Sequence, residues 1–162
     1  MDEDVIRNAQ LYASVKNLHL AERLGFGIHV VIFASRRNAF PGKSAIKAHR
    51  SEEPYSRELA AYLRLQQAGV EAIKGFKVPQ LLGFDDSLLI IEMTIVSRPF
   101  VLDFAGAYID SKPDFSPDIW AEWEMEKNQQ FSEKWSTVQD VLFELGRLGI
   151  HMIDVSPSNV AF

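Results

Sequence analysis

Ser44-Ala45-Ile46-Lys47-Ala48, followed closely by Ser51-Glu52-Glu53-Pro54-Tyr55 and then Glu58, is the stretch on which the fold turns. Its first part reads as a strand carrying a lysine between small and β-branched neighbours. Its second part has the marks of a helix start: a capping hydroxyl, early acidic residues and a proline in the first turn. The helix is expected to run to about Ala68, with Gly69 as its stop signal. Tyr55, Leu59, Tyr62, Leu63 and Gln66 then fall on one face.

Upstream, Ile28 to Ala34 is rich in β-branched and aromatic residues and reads as a strand. Leu24-Gly25-Phe26-Gly27 before it reads as a turn, and Arg36 to Gly42, ending in Pro41-Gly42, as a hairpin loop. Residues 5 to 17 carry Val5, Leu11, Tyr12 and Val15 at loosely helical spacing, which predicts a short leading helix or an extended arm. Downstream, Val78 to Phe84 and Leu88 to Val96 read as two more strands around an Asp85-Asp86-Ser87 turn. The first half is therefore strand, strand, strand, helix, strand, strand.

The second half has a different texture. Pro99, Pro113 and Pro117 punctuate it, and helices are expected from Asp118 to about Phe131 and from about Ser132 to Gly149. In the latter, Trp135, Val138, Val141, Leu142, Leu145 and Leu148 form an apolar stripe. Residues 150 to 159 show neither helix nor strand periodicity. The expectation is an α+β chain in two lobes, 1–93 sheet-rich and 94–162 helical.

Composition narrows the function classes. At 162 residues, 47% hydrophobic and 24% charged, the chain can bury a core without staples. A net charge of −5 argues against a general nucleic-acid binder, while leaving room for one nucleotide held locally. The absence of cysteine removes disulfides, thiol catalysis and thiolate zinc sites, and fits a reducing compartment. Met1-Asp2-Glu3-Asp4 is acidic where a secretory signal is basic, and no apolar run nears the ~18 residues of a membrane span. A cytoplasmic protein without membrane or nucleic-acid partners is expected.

Four elements now stand in order: Gly25-Phe26-Gly27 in a turn between strands, Ala45-Ile46-Lys47 on a strand, Glu58 on a helix, and Asp154-Val155-Ser156-Pro157-Ser158-Asn159 after a long helix. From about residue 18 to the end, this order resembles the protein kinase superfamily, with its glycine-rich loop, strand lysine, helix glutamate and catalytic loop. The resemblance implies a five-stranded antiparallel lobe with one main helix, then a reduced helical lobe. It implies ATP and magnesium as cofactors. Glycines 25 and 27 would let backbone approach phosphate, Lys47 would hold the α- and β-phosphates, and Glu58 would hold Lys47. Asp154 would be the base and Asn159 a magnesium ligand, while Glu92 to Thr94 would match the hinge that meets adenine.

The chain also departs from that pattern. The third glycine falls at Val30, and the residues before Asp154 are Met152-Ile153 rather than His-Arg, with His151 one position early. The missing arginine implies no phosphorylation-held activation loop. Lys47 and Glu58 are eleven residues apart, a short interval, so Glu52 or Glu53 is an alternative partner for the lysine. The family's Asp-Phe-Gly segment, with its main metal-binding aspartate, follows the asparagine by about a dozen residues; here three residues follow Asn159.

Each element also has a plainer reading: a hairpin turn for the glycines, a solvated lysine, a surface glutamate, and an Asp/Asn-rich loop at 154–159. Pro41-Gly42-Lys43-Ser44 imitates the end of a P-loop, but Arg37 stands at its first glycine position and no helix is expected after it. The histidines 19, 29, 49 and 151 lack metal-ligand spacing. Two functions follow from the resemblance. One is a nucleotide-binding phosphotransferase. The other is a non-catalytic module whose apolar faces, Phe100 to Phe104 and the tryptophans 120, 123 and 135 among them, are covered by another copy or another protein.

Overall fold

A computed structural model describes residues 2–37 and 42–162, so the expected loop from Arg36 to Gly42 lies mostly outside the described residues. The chain divides into two units: Met1–Leu59 with Pro79–Ile95, and Ala60–Val78 with Val96–Phe162. The fold is α+β. No helix among the described residues is long and apolar enough to cross a membrane.

In the first unit the leading segment is a helix, α1 (Asp2–Val15). Asp2, Glu3 and Asp4 suit its N-terminal dipole, and Asn17 ends it at φ 54°. Val5, Ala9, Tyr12 and Ala13 form its buried face. Leu11 and Val15, expected beside them, point outward, because the small alanines let the helix approach its neighbours at their positions.

Strands β1 (Leu18–Phe26), β2 (Val30–Arg37) and β3 (Lys43–His49) follow, then helix α2 (Glu52–Gln67). After the two-residue strands β4 (Ala72–Ile73) and β5 (Phe76–Lys77) come β6 (Leu81–Asp85) and β7 (Ile90–Thr94). The first unit holds an antiparallel five-stranded sheet in the order β1-β2-β3-β7-β6. Two expectations shift here. Leu24 to Phe26 belong to β1, and the turn is three residues later, closed by Gly27 N–H donating to the Val30 carbonyl at 2.8 Å. Ile28, read as strand, is at the tip of that turn and 86% exposed. Its β-branched character is overridden by the reversal of the chain. Lys43 and Ser44 lie in β3, so the Gly-Lys-Ser stretch runs into a strand and no helix follows it.

Side chains alternate across a strand, so the two faces of the sheet can be read from the register. One face packs on α1: Val31, Phe33, Ile46, Ala48 and Ile90 join Val5, Ala9, Tyr12 and Ala13 in one cluster. Each large apolar side chain so buried contributes about 1.5–3 kcal/mol. Inside it lies a polar knot. Glu92, fully buried, accepts from the Tyr12 hydroxyl (3.1 Å), Ser44 Oγ (2.9 Å) and Arg37 (3.2 Å). Burial and the Glu92 charge raise the Tyr12 hydroxyl well above the usual phenol range. Gly83, opposite Glu92 on β6, makes room for that hydroxyl: a Cβ there would sit 2.5 Å from Tyr12 Oη. The β6–β7 turn is tied by Asp85, which accepts from Ser87 N–H, Ser87 Oγ and Leu88 N–H.

The second unit contains β4 and β5 with strands β8 (Phe100–Val101), β9 (Tyr108–Ile109), β10 (Ile150–His151) and β11 (Val160–Ala161), and helices α3 (Pro117–Phe131) and α4 (Trp135–Arg147). α3 begins as expected, with Ser116 accepting from Ile119 N–H and Pro117 at the first position. α4 is preceded by a 3₁₀ turn over Ser132–Lys134, so the expected helix start at Ser132 moves to Trp135. Its stripe is buried at Trp135, Val138, Val141 and Leu145. The tryptophans form an edge-to-face series, Trp120 on Trp123 and Trp123 on Trp135, between the two helices. α2 runs out at Gly69, φ 67°, with Gln66 exposed rather than on its apolar face. Phe100 to Phe104 is no open patch: Val101 and Phe104 are fully buried, Phe104 edge-on against Tyr62. The short strands β8 to β11 were not legible, because two residues carry no periodicity.

Substituting Gly83→Ala is expected to destabilise by roughly 1–3 kcal/mol, since Tyr12 must give way inside a packed core. Tyr12→Phe should cost a similar amount by leaving Glu92 short of a donor. The double variant should be less destabilised than the sum of the two, because the added methyl then meets no hydroxyl. Urea denaturation of the three proteins checks this; strict additivity would break the link between the two positions.

Candidate functional site

The first unit brings Lys47 and Glu58 together. β3 carries Lys47 on the sheet face opposite the α1 cluster, and the second turn of α2 turns Glu58 toward it. Lys47 Nζ and Glu58 Oε1 are 2.5 Å apart, with Lys47 4% and Glu58 0% exposed. The eleven-residue interval suffices because α2 starts at once, at Glu52, and Glu58 is the acid that reaches the lysine. Glu53, one of the alternatives, is paired with Arg57 on the surface.

His49 completes the cluster. It lies two residues beyond Lys47 and so faces the same way, and its Nε2 is 2.8 Å from Glu58 Oε2. Burial alone would push the Glu58 carboxyl upward, but the Lys47 charge and the bond to His49 outweigh it and hold the group down at about 2. Glu58 is thus ionised, and Nε2 of His49 must carry the hydrogen. The sequence showed His49 only as a histidine without metal-ligand spacing. Its signal was alternation with Lys47 along one strand.

The register extends this site across the sheet. Gly25 opposes Ile32, Ile32 opposes Lys47, Lys47 opposes Ile91, and Ile91 opposes Phe84, so these five share one row and one face. A shift of register in β1 between Arg23 and Gly25 brings Gly25 into that row. It stands two strands from Lys47, about 10 Å away. A Cβ on Gly25 would meet nothing within 4 Å, and one on Gly27 only Val30 at ordinary contact distance. Neither glycine has positive φ. The chain itself therefore makes no use of the missing side chains, and the backbone at Gly25 is open to close approach on the lysine's face.

Glu92 and Thr94 do not join this group. Glu92 lies within β7, between β3 and β6, and its side chain is on the α1 face. Thr94 closes the strand: its N–H donates to the Gln80 carbonyl and its hydroxyl accepts from Gln80 N–H. Ile91, on the Lys47 row, is fully buried.

In the second unit Asp154 and Asn159 are held in one loop. The Asn159 amide donates to the Asp154 carbonyl at 2.7 Å and its Oδ1 accepts from Ser156 N–H at 2.8 Å. Trp123 donates from α3 to the Ile153 carbonyl, fixing the backbone just before Asp154. Asp154 is exposed while Asn159 is buried, so the loop presents a carboxylate on a clamped base. Asn159 Oδ1 has a second lone pair. Among the described residues, no group of three or more His, Cys, Asp or Glu side chains could hold a metal by itself. A separate cavity of about 620 Å³, lined by Trp120, Trp123, Trp135 and Leu142 among others, includes none of the predicted site residues.

No protein-family model matches this chain, and no curated protein matches it in sequence.

Because Glu58 is held at about 2 against an ordinary 4.5, its contribution to stability is complete above the ordinary value and is lost as pH falls toward 2. The size is on the order of 3 kcal/mol. The variant K47M/E58L, which replaces both charges with apolar side chains of similar bulk, should fold and lack this acid-sensitive component. Lys47→Ala alone should cost about 3–5 kcal/mol by stranding the carboxylate. Melting temperatures of the three proteins from pH 6 to pH 2 test both statements, and parallel acid profiles would contradict them.

Proposed function

We propose that this chain is a nucleotide-binding protein of protein-kinase-like build that acts as a reduced ATP-dependent phosphotransferase. The observation that carries the reading is the buried Lys47–Glu58 pair, one partner on the central strand of an antiparallel five-stranded sheet and the other on the helix that follows. A lysine and a glutamate do not leave water for stability alone, since apolar residues serve a core as well or better. A lysine fixed by a carboxylate is, however, what a triphosphate site requires. The row shared by Lys47 and Gly25 supports the reading further, as it sets an open glycine backbone on the same face as the ammonium.

On this reading Lys47 holds the α- and β-phosphates, Glu58 orients Lys47, and Gly25 and Gly27 admit phosphate oxygens to the backbone. Asp154 accepts the proton of the acceptor hydroxyl. Asn159 would hold magnesium. Adenine contacts at Glu92 are not favoured, because that residue lies inside the sheet ladder; Thr94, at the strand's end, is the better placed of the two.

A second reading is a binding module without transfer activity. The small set of metal donors favours it, and so do the exposed Ile119, Met125 and Phe143 on α3 and α4, which a second copy or a protein partner would cover.

ATP at millimolar concentration with magnesium is expected to raise the melting temperature by several degrees, because a ligand of the native state stabilises it. K47M/E58L should fold and show no such rise. Asp154→Asn should retain binding and lose any phosphate transfer or ATP hydrolysis. An unchanged melting temperature with and without magnesium would sink the proposal; binding without turnover would select the second reading.

A further inference from the structure

We infer that His49 is a positioning residue for Lys47, fixing the Glu58 carboxylate in the orientation that presents Oε1 to the ammonium. The inference deepens the nucleotide-binding reading and rests on it for the ligand, while its geometric part stands alone. A glutamate's terminal torsion is broad and nearly two-fold, so one ion pair by itself leaves the carboxylate free to turn about its axis. Here Oε1 meets Lys47 Nζ at 2.5 Å and Oε2 meets His49 Nε2 at 2.8 Å. Both nitrogens come from one strand face, so the carboxylate plane is held by two fixed points.

His49 is itself held. Its backbone N–H donates to the Leu89 carbonyl at 3.0 Å. Leu89 adopts φ 54° at the end of the β6–β7 turn, an uncommon conformation for leucine. The His49 ring also packs edge-on against Tyr55 of α2, whose hydroxyl donates to Asp86 at 2.7 Å. The ring is therefore fixed by α2, and the backbone that carries it by the turn after β6.

The test compares wild type with His49→Leu, which keeps bulk without a donor, and His49→Gln, whose amide restores an N–H at similar reach. Two readouts are taken: the Lys47 ammonium signal in ¹⁵N–¹H spectra without ligand, and ATP affinity by calorimetry with magnesium. His49→Leu should shift the Lys47 signal and weaken ATP about tenfold, a loss common when the partner of a binding group is removed. His49→Gln should return both toward wild type. An unmoved Lys47 signal in both variants overturns the inference. If wild type binds no ATP, the nucleotide reading falls, and the Lys47 signal still decides the role of His49. Should His49→Leu not fold, His49→Asn replaces it, because its shorter amide cannot reach Glu58 Oε2.

Discussion

A carboxylate with no exposed surface, divided between a lysine and a histidine, is the constraint on which the first unit depends. Removing a carboxylate from water costs several kcal/mol unless its oxygens are satisfied. Glu58 meets that demand only if α2 starts immediately after β3 and presents its second turn to the strand. The requirement fixes three things at once: the rotation of the helix, the face of β3 that carries Lys47, and the tight connection through Arg50 and Ser51.

The opposite face of the same sheet repeats the device in another form. There Glu92 comes from the sheet and its donors come from α1, from β3 and from Arg37. One buried acid thus joins a helix to each side of the sheet. Both networks depend on β3, which supplies Lys47 and His49 to one face and Ser44 to the other. Apolar contacts give these interfaces most of their energy, while the acids set their register, since a helix turned by one residue would strand a charge.

Much of this was legible because it follows from short-range rules. The Ser51–Pro54 start and Gly69 stop of α2, the Ser116–Pro117 start of α3 and the strand at Ser44–Ala48 are all written in local chemistry. So was the nearness of Lys47 to an acid early in α2, which the structure gives as Glu58. What escaped has long-range causes. Glu92 is expected at a hinge until pairing on both sides places it inside the sheet. Ile28 has strand propensity but occupies a turn, because Gly27 closes onto Val30. Tyr12 and Gly83 are seventy-one positions apart in the chain, and only the folded sheet shows that one needs the other's missing side chain. The depth of Phe104 likewise comes from Tyr62, which no nearby residue announces.

The place of each element in the sheet has a consequence for stiffness. β3 is flanked by β2 and β7 and is buried along nearly all its length, so its amides open to solvent only in large-scale unfolding. β1 is an outer strand, its ladder twice interrupted, and the adjoining tip leaves Phe26 and Ile28 in water. Hydrogen exchange therefore grades from slowest at the lysine to fastest at the glycines. The charged centre of this face is rigid and its margin yields.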